Sequence, residues 1–111
     1  MTIKVIDYTH SDRAVSAANG EDIYAKIALC FENNENVNLD FEGIKITITA
    51  FQNACIGNLY ANFETEKIKN LLTISNLNND ELPLLKLVID EAKKRFGREN
   101  NQNDLLDETN N

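Results

Sequence analysis

A hydroxyl at the mouth of a helix is where this chain carries most chemical potential. In Ile48-Thr49-Ala50-Phe51-Gln52, an alternating stretch gives way to a helical period, and Thr49 sits at the change. Thr49-Ala50-Phe51-Gln52 fits a capping box, which predicts that the Thr49 side chain caps the first turn and Gln52 returns a hydrogen bond to it. The unpaired N–H groups and positive potential of a helix start also suit a phosphate or a partner's anionic group. Asp40/Glu42 and Glu64/Glu66 have the residue types for acid/base work, but nothing beside them separates their proton affinities, and they read as solvated faces. Cys30 and Cys55 lack CxxC spacing and sit inside apolar helical patterns, so they are expected buried and reduced. With His10 the only histidine, neither a Cys/His nucleophile nor a zinc site can be assembled. Gly20, Gly43, Gly57 and Gly97 form neither GxGxxG nor a phosphate loop. The residues therefore predict no catalysis, no metal and no cofactor.

The elements that must position Thr49 follow from the apolar periods. Thr2 to Tyr8 alternates and predicts a first strand, and Thr9 to Ala18 is small and polar and predicts a loop. Asn19-Gly20-Glu21-Asp22 predicts a helix start, with Ile23, Ile27, Cys30 and Phe31 on the buried stripe up to Glu32. Val37 to Phe41 alternates as a second strand, and Gly43 turns the chain into a third alternating stretch, Ile44 to Ile48. From Thr49 to about Phe63, the spacing of Phe51, Cys55 and Leu59 predicts helix two. Glu64 to Lys69 reads as a short charged segment leading into a last strand over Leu71 to Ser75. Asn79-Asp80-Glu81 with Pro83 starts a final helix whose stripe is Leu85, Val88, Ala92 and Phe96. Its last turn is basic, and Gly97 is placed to cap it.

The chain has 111 residues, enough for one core, with apolar and charged fractions of 42% and 26% that fit a globular domain. Its formal charge of −7 opposes nucleic-acid phosphates and anionic lipid, so neither is an expected partner. There is no apolar run long enough to span a membrane, and no signal-peptide pattern in Met1 to His10, so the expected location is the cytoplasm. Residues 1–97 are expected to form the domain, and 98–111 a disordered, acidic, Asn-rich tail. A third functional class, a small-molecule pocket under Tyr24 and Tyr60, has no residue constellation behind it.

The run Val37-Asn38-Leu39-Asp40-Phe41-Glu42-Gly43-Ile44, followed by Phe51 and Gly57-Asn58-Leu59, resembles the STAS-like domains of prokaryotes, near the anti-sigma-factor antagonists. The resemblance covers about residues 13 to 96. It implies a single small α/β domain with a mixed sheet and helices packed on it. It also implies a regulatory protein-interaction module, partnered with a histidine-kinase-like ATPase or anti-sigma factor, whose phosphoacceptor would be Thr49. The implied partner surface is Glu42, Gly43, Thr49, Gln52, Asn53 and Ile56. Typical antagonists have an acidic residue before the phosphoacceptor, where this chain has Ile48. The alternative from a different class is an acidic inhibitor of a host protein, encoded by a phage or mobile element. Exposed strand edges leave a homodimer open.

Overall fold

The computed structural model describes residues 1–97, so the expected tail at 98–111 lies outside the described residues. Strand β1 (Thr2–Lys4) pairs with β3 (Val37–Asp40), and β3 pairs with β5 (Leu72–Ser75), giving a three-stranded sheet in the order β1-β3-β5. A second, two-stranded ribbon joins β2 (Arg13–Ala14) to β4 (Ile46–Thr47). Each pairing is parallel, where a mixed sheet was expected. The reason is connectivity: helices and turns carry the chain back after every strand, which is what parallel neighbours require. The expected single small α/β domain is otherwise what forms.

The expected first strand stops early. After Lys4 the Val5 N–H still bonds to the Asp40 carbonyl, but the chain then winds into α1 (Ile6–Thr9), closed by His10 in the left-handed region at φ 55°. Local bonds from Tyr8 and Thr9 back to Val5 satisfy the backbone here, and Ile6 and Tyr8 pack against the core from a helical turn instead of a strand. The loop expected over Thr9 to Ala18 contains β2 and the start of α2 (Ala17–Glu32). Ser16, not Asn19, caps α2: its hydroxyl accepts the Asn19 N–H at 3.2 Å. Gly20 is thereby inside the helix, where a Cβ would stand 2.7 Å from the Phe51 carbonyl oxygen and 2.9 Å from the Ala54 Cβ.

Helix two is built from α3 (Thr49–Gln52), a π-helical turn (Asn53–Gly57) and α4 (Leu59–Asn62), ending at Phe63 as the spacing predicted. The Glu64 to Lys69 segment is itself part of a helix, α5 (Thr65–Leu71), whose single buried side chain is Ile68. A 3₁₀ turn (Asn79–Glu81) then leads into α6 (Leu82–Phe96), with Pro83 in its first turn and Gly97 capping it at φ 63°. Helix α2 packs on α3 and the π turn, and α6 packs on the π turn and α4. Phe31, Phe41, Phe51, Ile23, Ile27 and Leu39 form the centre of the core between them. Cys30 and Cys55 are free and buried. Among the described residues no helix is long and apolar enough to cross a membrane.

Candidate functional site

The chain reaches the entrance of helix two from the end of β3, through the Gly43 turn and β4. Asp40 closes the central strand β3, and its Oδ1 accepts the Asn76 side-chain amide at 2.8 Å and the Glu42 N–H at 2.9 Å. These bonds, the Asn76 one first, hold the carboxyl below its ordinary range, and the charge of Lys4 helps while burial opposes. Asp40 is thus bound by the Asn76 side chain and by the backbone of Glu42, and among the described residues it makes no hydrogen bond to the Glu42 carboxylate. The Ile44 N–H bonds to the Phe41 carbonyl at 2.9 Å, with Gly43 at φ 85°, a value suited to the third position of a type II turn. A Cβ on Gly43 would meet that backbone strain and the Ile6 Cδ1 at 3.0 Å.

Beyond this turn, β4 alternates. Ala14 and Thr47 face inward and are buried, so their neighbours Val15, Ile46 and Ile48 face out at 42%, 38% and 40% exposure. The inward Thr47 is the centre of a polar network. Its N–H and its hydroxyl both donate to Glu81 Oε1, at 2.9 and 2.8 Å, and its Oγ1 accepts Gln52 Nε2 at 3.1 Å. The Oε1 of Gln52 is buried without a hydrogen-bond partner among the described residues.

The capping box does not form. Ile48, extended at φ −125° and ψ 165°, is the N-cap and offers no side-chain hydrogen bond, and its carbonyl takes the Gln52 N–H at 3.1 Å. Thr49 is therefore the first helical residue, exposed, and its hydroxyl makes no hydrogen bond among the described residues. Gln52 turns inward because Thr47 holds it, which leaves nothing to return to Thr49.

Of the expected partner surface, Glu42, Gly43 and Thr49 are exposed and Asn53 is half-buried. Gln52 and Ile56 are corrections: both are 0% exposed and support the entrance from inside. The π turn accounts for Ile56, since the Asn58 N–H reaches back five residues to the Asn53 carbonyl and rotates Cys55 and Ile56 into the core. Burial raises the Cys55 thiol, and burial followed by the Glu35 carboxylate raises that of Cys30, so neither is an activated nucleophile. No group of three or more His, Cys, Asp or Glu side chains able to hold a metal occurs among the described residues. Tyr60 lines a groove between α5, β5 and α6 whose lining among the described residues does not include Tyr24.

Sequence reasoning missed Val15, Ile46, Ile48 and Glu81. The alternation of β4 carried the signal for Ile46 and Ile48, while Glu81 contacts a residue 34 positions away and had no local signal.

A family model described as the STAS-like domain of unknown function, DUF4325, matches residues 19–82, more than half of the chain. The chain belongs to this STAS-like family. No curated protein and no solved structure matches it significantly. The matched part of the STAS-like domain includes Asp40, the Gly43 turn, Ile46, Ile48, Thr49 and Glu81, while Val15 lies before it.

Proposed function

We propose that this STAS-like domain is a non-enzymatic regulatory module that binds a partner protein at the entrance of helix two. The observation that carries the reading is the exposed set Val15, Ile46 and Ile48 beside the uncommitted hydroxyl of Thr49. Covering apolar side chains of this kind contributes about 25 cal/mol for each Å² removed from water. The resemblance adds Glu42, Gly43 and Asn53 to this surface, where the first two are exposed and Asn53 is half-buried, and buried Gln52 and Ile56 support helix two from within.

The resemblance to anti-sigma-factor antagonists supplies the class of partner, a histidine-kinase-like ATPase or an anti-sigma factor, and a switch by phosphate on Thr49. The local chemistry supports a switch of a particular kind. A phosphate on the first helical residue would lie beside unpaired N–H groups, so it favours the helix end. Its cost falls on the partner, which must desolvate the added charge next to apolar side chains.

The test is capture of partners by the tagged full chain in its native cell, with a search of the bait for phosphate on Thr49, followed by titration calorimetry with the recovered protein. The expected result is an ATPase of the kinase-like class, bound at least about tenfold more weakly by Thr49→Glu and Ile46→Asp, with Thr49→Ala close to wild type. Recovery of an unrelated enzyme, held equally well by Ile46→Asp and with Thr49 unmodified, overturns the reading in favour of a host-directed inhibitor.

A further inference from the structure

The two edges of the three-stranded sheet differ in charge. The β1 edge carries exposed Lys4, with the terminal ammonium of Met1 beside it, hydrogen-bonded to the Asn36 carbonyl and 3.7 Å from the Glu35 carboxylate. A charged edge resists the addition of another strand. The opposite edge, β5, reads Leu72-Thr73-Ile74-Ser75, with neither a charge nor a proline, and among the described residues it pairs only with β3. Beside it runs a groove of about 690 Å³ whose lining includes the apolar Ile68, Leu72, Ile74 and Ile89 and the charged Glu64, Glu66, Lys69 and Lys93.

We propose that the β5 edge and this groove form the contact between two copies of the chain, with the β5 strands antiparallel across a twofold axis. The occupant follows from the charges. Helix α5 carries Glu66 in its first turn and Lys69 in its last. A twofold axis that reverses β5 also reverses α5, so the acidic end of each α5 approaches the basic end of its mate. A lining of one sign would repel its own copy, and this lining is complementary to itself. The pairing gives the outer backbone groups of β5 hydrogen-bond partners and removes half-buried Leu72 and Ile74 from water. It uses none of the residues around Thr49, so it stands apart from the proposed partner surface.

Sedimentation velocity of the full chain over a rising concentration series tests the contact. Wild type is expected to pass from monomer to dimer. Thr73→Lys, which charges an exposed position of the edge, is expected to remain monomeric. Lys69→Glu should raise the dimer dissociation constant about tenfold, and the double exchange Glu66→Lys/Lys69→Glu should restore it. A wild type that stays monomeric at every concentration overturns the proposal, as does a dimer unchanged by Thr73→Lys and Lys69→Glu. Should Thr73→Lys fail to fold by circular dichroism, amide exchange of residues 72–75 in wild type decides. Protection rising with concentration supports the contact, and protection independent of concentration overturns it.

Discussion

Helices α2 and α3 begin in opposite ways. The first turn of α2 is closed: Ser16 caps it from its own side chain, and one turn on Gly20 lets the helix press against the Phe51 carbonyl. The first turn of α3 is open: Ile48 caps with backbone alone, Thr49 is exposed, and three apolar side chains stand beside it. A side-chain cap takes up one of the orphan N–H groups within the molecule, whereas an uncapped end keeps it for water or for another molecule. Helix two is anchored on its inward side, through Phe51, Gln52, Cys55 and Ile56, which leaves Thr49 at its mouth without a capping duty.

The sharpest way to break this contrast is Gly20→Ala. The added Cβ would meet backbone at 2.7 Å, which cannot rotate away, so the helices must separate. The expected loss is about 3 kcal/mol in urea denaturation, at the upper end for overpacking. A loss below experimental error would mean that the α2 entrance is not closed by packing.

Glu81→Ala tests the support beneath the open entrance. It leaves the buried N–H and hydroxyl of Thr47 without their acceptor, at an expected cost of about 2 kcal/mol. Amide exchange should quicken at Thr47 more than in α2, and uniform quickening would count against a local role.

The two entrances can then be compared directly by removing one hydroxyl from each. Ser16→Ala should cost about 1 kcal/mol by loss of the cap, and Thr49→Ala less than about 0.5 kcal/mol. Equal losses would restore the capping role for Thr49 that the geometry denies it.

The smallest effect concerns acid. The Asp40 carboxyl is held below its ordinary value in the folded chain, so its contribution is complete above the unfolded value near pH 4 and is lost as pH falls from there through the lowered one. Acid titration should show wild type losing stability over that window, and Asp40→Asn should flatten the slope there. An unchanged slope would mean that the Asn76 and Glu42 bonds are not held in solution.

Much of the architecture was legible because it depends on local periods. The stripes of α2 and α6, the alternation of β3, the Pro83 start and the Gly97 cap all act over a few residues, and each appears where its pattern stood. The misreadings share a cause. Asn19 and Thr49 both looked like caps, yet in each case the extended residue that precedes the helix lies further upstream, at Ser16 and Ile48, and where the backbone leaves the extended region is set by strand pairing. The early end of β1 and the helical character of α5 also depend on what the chain packs against, since both sequences suit more than one local structure.

By itself the sequence determined the STAS-like resemblance, the α/β class, the order of its long elements and the buried state of both cysteines, because hydrophobic periodicity is written along the chain. Only the tertiary structure decided that Gln52 and Ile56 face inward, that Glu81 reaches Thr47, and that Val15, Ile46 and Ile48 share one exposed face. These facts depend on parallel register between distant segments and on a π turn that shifts the helical phase, and neither is encoded in the spacing of neighbouring residues.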